Sequence, residues 1–386
     1  MPRPAPFKLQ MPGGGAPGII VPESSIERAN DIGVRVHTNF LIKDSGVRSF
    51  QSGNQGLTPL EVANAYGVPI ANNPGAGAIA IVDAYNYPTA LADFNSFSNT
   101  FSLPAEGSNN ALSSSNQVFQ VVYARGTQPT SDGSWSQEMA IDIEWAHAMA
   151  PGAKVYLVEA GSSAIPDIMT AVAVAKTLPG VREVSTSFGA SETGCEYVQY
   201  DSTFVQPGVV FFGAAGDSPG QRNFPALSMN AVAVGGTTLN VSPIGTYLSE
   251  SVWNSTGCGP SVFEPRPIFQ DVYYSTIGLY RAGCDIAADA DPNSGVGVYD
   301  SYPYQGQSGW FVAGGTSVAC PIIAGITNSS GVAFSSSQAF NKLTYSLAGT
   351  QYFHAITSGS SGGYNAATPW CFPTGLGSPN GLQAGL

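Results

Sequence analysis

Three groups of residues in this 386-residue chain have the types and spacing to do chemistry. The first is Gly314-Gly315-Thr316-Ser317-Val318-Ala319-Cys320-Pro321. A glycine pair runs into a Ser at the start of an apolar stretch that reads as a helix over about residues 317–326. Glycines let another backbone approach closely, and a helix N-terminus favours negative charge developing near the Ser oxygen. Pro321 stands at the edge of the first turn, where a missing N–H costs least. A bare Gly-Thr-Ser is more often a helix cap; the whole Gly-Gly-Thr-Ser-x-x-x-Pro string shifts the reading to a presented nucleophile.

A nucleophilic Ser needs a base. The chain has three His, namely His37, His147 and His354, and none stands in a context that suits the task. Carboxylates fill the gap. Glu138 and Asp142 are four residues apart in Trp135–Glu144, so a helix over 137–149 puts them on one face. Like charges at that spacing destabilise an isolated helix by a few tenths of a kcal/mol. Their neighbours Met139, Ala140, Ile141 and Ile143 make the helix otherwise apolar. Two carboxyl groups held there share a proton, which raises one pKa and suits a general base working in acid. The third group is Val209–Ser218, where an apolar strand ends in Gly216-Asp217. An Asp in a turn is common, but the C-terminal edge of a parallel sheet is where α/β enzymes place active groups.

The elements that must position these groups alternate. Thr58-Pro59-Leu60-Glu61 is a capping box with Pro at the first helical position, opening a helix through Ala65. Strands are expected at 78–83, 118–123, 154–159, 181–187 and 209–214, and helices at 90–97, 137–149, 166–177 and 317–326. Strand–helix alternation predicts an α/β fold: a parallel β-sheet flanked by helices. Between 235 and the last helix the chain reads as irregular and loop-rich. Residues 1–56 read as a polar, Pro/Gly-rich N-terminal extension, and 57–386 as one domain.

Composition narrows the function classes. Lys+Arg is 14 and Asp+Glu is 26, a net charge of −12, which argues against nucleic acid and against an anionic membrane surface. No apolar run of about 18 residues is present, which argues against a transmembrane helix. Only 10% of residues are charged, against about 25% in average soluble domains. Few charges suit a secreted protein in an acidic medium, where protonated carboxylates would leave Lys and Arg repelling one another. Residues 1–20 carry no secretory pattern. A monomer is expected.

Ordered strings along the chain resemble the sedolisins, the serine-carboxyl peptidases, with kumamolisin-like members nearest. They are Thr58-Pro59-Leu60 with Ala65-Tyr66, Glu138-x-x-x-Asp142-Ile143-Glu144, Ala150–Lys154, Ser185-x-Ser187-x-Gly189, Ala214–Ser218, Asn223–Ala226, Val234–Thr237, Val252-Trp253-Asn254, Gly314–Ser317 and Thr374–Pro379. The resemblance implies a subtilisin-like fold and peptide-bond hydrolysis in acid, by an endopeptidase, with a tripeptidyl-peptidase or an inactive subtilisin-like binding protein as alternatives. It implies Ser317 as nucleophile, Glu138 as base, Asp142 as the group that orients Glu138, and Asp217 as oxyanion donor. Asp83 is assigned a supporting place beyond Glu138, and Ser187, Gly189, Gly216 and Asn223 are assigned to substrate binding. Asn223 stands where some relatives carry an acid in the pocket for the residue before the cut, so apolar or aromatic residues are expected there. The resemblance also implies a large prosegment, which 56 residues are too few to supply.

No cofactor and no metal are expected. The calcium site that the resemblance implies is depleted: Ala355 and Cys371 replace its two Asp, and Ala367 and Pro369 replace glycines. Calcium wants six to eight oxygens, usually including carboxylates. A disulfide between Cys371 and Cys284 could tether the segment instead, with Cys195–Cys258 as a second pair and Cys320 buried and free, although four cysteines allow three pairings.

Overall fold

The run Ala78-Ile79-Ala80-Ile81-Val82 is apolar on both of its faces, and it becomes a fully buried strand, Ala78–Ala84, in the middle of an eight-stranded sheet. A computed structural model describes residues 18–44 and 56–382. Across the sheet the strands run Tyr247–Val252, Val232–Val241, Val210–Ala214, Val181–Thr186, Ala78–Ala84, Lys154–Ala160 and Phe119–Tyr123, with Ile286–Asp289 also paired to Val232–Val241. All pairings are parallel except that of the edge strand Tyr247–Val252. This is the expected subtilisin-like arrangement of a parallel sheet covered by helices.

Two helices packed on this sheet carry candidate site residues. Gly133–Met149 is capped by the Asp132 side chain, which accepts from the Ser134 and Trp135 N–H groups. That cap starts the helix four residues earlier than its apolar pattern suggested. Every residue from Ser134 to Met149 is buried, so four ionisable side chains, Glu138, Asp142, Glu144 and His147, lie in the core. The second helix, Thr316–Ser329, is buried along its whole length. Because it begins at Thr316, Pro321 falls in its second turn, not at the edge of the first. The N–H that Pro321 lacks leaves the Ser317 carbonyl free of its helical partner, and the Ser187 hydroxyl reaches that carbonyl at 3.4 Å.

Two stretches depart from the sequence reading. The region after 235 is mostly strand: Val232–Val241, Tyr247–Val252, Gly259–Pro265, Ile286–Asp289 and the antiparallel pair Val296–Tyr304 and Gln307–Gly314. Gly, Ser, Thr and Tyr dilute the alternating pattern there, so neighbouring strands, not local periodicity, define these elements. The stretch set apart as a polar extension also belongs in part to the fold. Phe40, Leu41 and Ile42 are buried; His37–Thr38 pairs with Phe188–Ser191, and Leu41–Lys43 pairs with Gln307–Gly314. Residues 1–17 and 45–55, with the reading of the first 20 residues as lacking a secretory pattern, lie largely outside the described residues.

Candidate active site

Strand ends and helix starts converge on Ser317. It is fully buried, at the second position of its helix. Gly315, just before, has φ of 108°, and a side chain there would meet the Asn39 carbonyl oxygen at 2.2 Å and an Asp217 oxygen at 2.4 Å. Only a glycine allows both approaches. The Ser317 hydroxyl donates to the Ser187 carbonyl at 2.9 Å and accepts from the Asn39 N–H at 3.0 Å.

Glu138 and Asp142 share a helix face as their spacing requires, and Asp83 joins them from the end of its strand. Carboxylate oxygens of the three lie within 4.8 Å of one another, all buried. Neither oxygen of Glu138 nor of Asp83 has a hydrogen-bond partner, while Asp142 accepts from the Ser187 hydroxyl at 2.7 Å. Burial pushes the Glu138 carboxyl well above its usual range, the Asp142 and Asp83 charges push it further, and the neighbouring Ser317 hydroxyl, free to turn from the Ser187 carbonyl toward Glu138, opposes the rise. Asp83 is raised by burial and then by Asp142 and Glu159; Asp142 is raised by burial and opposed by Ser187. Three like groups this close cannot all be ionised. The cluster therefore holds protons in acid and can take one from a neighbour. Its oxygens are also the one grouping among the described residues whose spacing could ligate a metal.

Asp217 follows the strand Val210–Ala214. One of its oxygens accepts from the Thr316 N–H at 2.8 Å and the Thr316 hydroxyl at 2.9 Å; the other has no partner. Burial pushes its pKa up to about 7 against the pull of the two Thr316 bonds. Below that pH the group is a carboxylic acid, able to donate.

None of the three His serves Ser317. His147 contacts the Pro104 carbonyl at 2.8 Å and is held down to about 4 by burial. His354 stacks on Tyr247 with ring centroids 3.6 Å apart. His37 faces Gln221 at 3.2 Å, and burial lowers it.

Three of the four residues assigned to substrate binding, Ser187, Gly189 and Asn223, form a trough in which the chain's own segment 37–39 lies, and the fourth, Gly216, packs against Asn223. His37 and Thr38 run antiparallel to Gly189 and Phe188. Beyond Asn39 and Phe40 the segment continues as a strand on Gln307–Gly314, with Leu41 opposite Gly314. The Asn39 carbonyl accepts the Ser317 N–H at 2.9 Å. The Asn39 amide donates to the Ser187 carbonyl at 2.9 Å and accepts from the Asn223 amide at 3.4 Å. Asn223 packs where side chains on Gly189 or Gly216 would stand. The sequence reading missed Asn39 and Thr316. The short apolar run Phe40-Leu41-Ile42 was the available signal for the first, and the place of Thr316 beside Ser317 for the second.

The C-terminal loop does not fit calcium. A cavity of about 330 Å³ there is lined by Thr350, Ala355, Ile356, Ala367, Pro369 and Thr374, among others, none of them a carboxylate. Cys371 turns its thiol to the Thr374 hydroxyl at 3.1 Å. The pairings Cys284–Cys371 and Cys195–Cys258 are not formed: all five cysteines are free thiols, with Cys195 exposed on a surface helix and the other four buried.

Comparisons with known proteins agree with this fold. The sequence model of the subtilase family matches residues 126–330. Over 176 residues the chain is 35% identical to sedolisin of Pseudomonas sp. (strain 101), which covers 40% of this chain and 28% of that protein. Over 376 residues it is 30% identical to kumamolisin of Bacillus sp. (strain MN-32), covering 87% of this chain and 64% of that protein. The chain thus spans less than two thirds of either curated relative. The structure of Pseudomonas sedolisin, a serine-carboxyl proteinase complexed with two molecules of pseudo-iodotyrostatin, superposes with a TM-score of 0.68 at 25% identity, over 85% of this chain and 96% of that one. Fervidolysin of Fervidobacterium pennivorans, a keratinolytic enzyme related to subtilisin, has a TM-score of 0.52 at 14% identity, over 96% of this chain and 50% of that one, and so shares the fold.

Proposed function

Because the chain belongs to the subtilase family, and within it to the sedolisins, we propose that it is an acid endopeptidase in which Ser317 attacks the peptide carbonyl. Glu138 takes the Ser317 proton and returns it to the leaving amine. Asp142 and Asp83 hold the proton population of Glu138 near its working point, since each raises the cost of ionising the next. Protonated Asp217 and the Ser317 N–H donate to the oxyanion. Donors preorganised in this way are worth about 10²–10³ in rate each.

One observation carries this reading. A peptide carbonyl, that of Asn39, already rests on the Ser317 N–H at 2.9 Å, on the side of Gly315 where the unpartnered oxygen of Asp217 also lies. The same segment favours an endopeptidase over a tripeptidyl-peptidase. Chain continues well beyond three residues before Asn39, with Arg35 bridged to Ala164 and the Val36 N–H donating to Ser163, so the trough is open at that end. Calcium has no part in the proposal, given the donor set at the C-terminal loop. No helix among the described residues is long and apolar enough to cross a membrane, and low charge with acid chemistry suits a secreted enzyme.

The test is digestion of an unfolded protein across pH 2–9, with sequencing of the products. Internal cuts with an acid optimum, abolished in Ser317→Ala, are expected. An optimum at or above pH 7 would refute the mechanism, and stepwise release of tripeptides would refute the endopeptidase assignment.

A further inference from the structure

Asn39 occupies the position of the residue that precedes the bond to be cut. The antiparallel register sets this. His37 lies opposite Gly189 and Thr38 opposite Phe188, which brings the next residue, Asn39, onto Ser317. After Asn39 the chain passes to the other wall, where Leu41 faces Gly314. Phe40 is fully buried, so the bond is gripped on both sides.

The pocket around the Asn39 side chain is polar. The Ser187 carbonyl accepts a hydrogen bond from its amide nitrogen at 2.9 Å, and the Asn223 amide donates one to its oxygen at 3.4 Å. Asn223 is 1% exposed, and its own carbonyl oxygen has no partner. A carboxamide with one methylene satisfies both wall groups at once. An apolar side chain would leave the Asn223 amide buried with nothing to bond and the Ser187 carbonyl with the Ser317 hydroxyl alone, and an ionised carboxylate would turn a negative oxygen on that carbonyl. Gly189 keeps Asn223 in place, since a side chain there would lie 2.3 Å from its amide nitrogen.

Resting on the peptidase reading above, we propose that Asn223 makes this site selective for asparagine immediately before the scissile bond. This replaces the apolar or aromatic preference expected from the sequence. The step itself is ordinary acyl transfer. Ser317 Oγ bonds to the asparagine carbonyl carbon while its proton passes to Glu138. The C–N bond to the following residue breaks, and its nitrogen leaves with that proton. Water then gives a hydroxyl to the acyl carbon and a proton back to Ser317.

The first readout is the chain itself. Full-length protein brought to pH 4 should be cut between Asn39 and Phe40, as seen by intact mass and N-terminal sequencing, while Ser317→Ala stays whole. The second is a pair of peptides with the sequence of residues 36–42, carrying either Asn or Leu at the position of Asn39. Leaving the buried Asn223 amide without a partner predicts kcat/KM roughly 10–100-fold higher for Asn. In Asn223→Leu the ratio should fall to one or below, and Asn223→Ala gives the same test should the larger residue fail to fold. Equal rates on both peptides, or an unchanged ratio in the Asn223 variants, would overturn asparagine selection and leave the peptidase standing. Hydrolysis of neither peptide, with an intact chain at every pH, would overturn both.

Discussion

Asp217→Asn separates the oxyanion donor from every other titrating group. Asp217 donates only when protonated, and its pKa is pushed up to about 7. Above that value the protonated fraction falls tenfold per pH unit, to about 1% at pH 9. Losing one oxyanion donor costs about 10²–10³ in kcat, so the rate should fall along that limb until it meets the floor of the donor-less enzyme. An asparagine amide donates at all pH values. The variant should therefore match or trail the wild type at pH 4 and exceed it by up to about 10² at pH 9. Thr316→Val gives an internal check. The Thr316 hydroxyl favours the ionised form of Asp217 against the larger effect of burial, so removing it should move the alkaline limb of the Asp217 enzyme to higher pH. The assay is kcat on a quenched fluorescent peptide with the sequence of residues 36–42, from pH 3 to 9, using enzyme whose own segment has been cleared from the trough. If wild type and Asp217→Asn share one alkaline limb, another group sets it and the oxyanion role is wrong.

Ser317→Ala and Glu138→Gln should each lower kcat more than 10³-fold with unchanged circular dichroism; a Glu138→Gln enzyme within tenfold of wild type would remove it as base. Stability should fall as pH rises. Burial pushes Glu159 and Glu183 up to about 8 and Asp300 up to about 7, so from about pH 5 to those values the folded state binds protons that the unfolded chain has released. Each such proton lowers the folding constant tenfold per pH unit, and the melting temperature of Ser317→Ala should drop steadily from pH 5 to 8; a flat or rising curve would contradict it. EDTA should leave melting temperature and activity unchanged, because the C-terminal cavity offers no carboxylate; a loss of several degrees, restored by calcium, would show that carbonyls suffice.

Much of the candidate site was legible locally. Glu138 and Asp142 meet because four residues make about one helical turn, and Ser317 falls in the first turn of its helix because glycines precede an apolar run. Asp217 follows an apolar strand, and Thr58 with Glu61 forms the expected capping box. These depend on neighbours within a few positions. What tertiary structure alone decided depends on distance along the chain. Asp83 reaches Glu138 because the sheet places one strand end beside a buried helix. Asn39 reaches Ser317 across 278 residues, and no local pattern in a short apolar run can say which groove it fills. The strands after residue 235 exist because partners hold them, since Gly- and Ser-rich stretches carry little preference of their own. The proposed acid chemistry shares both origins: residue types supplied the carboxyl groups, and burial together with crowding raised their affinity for protons.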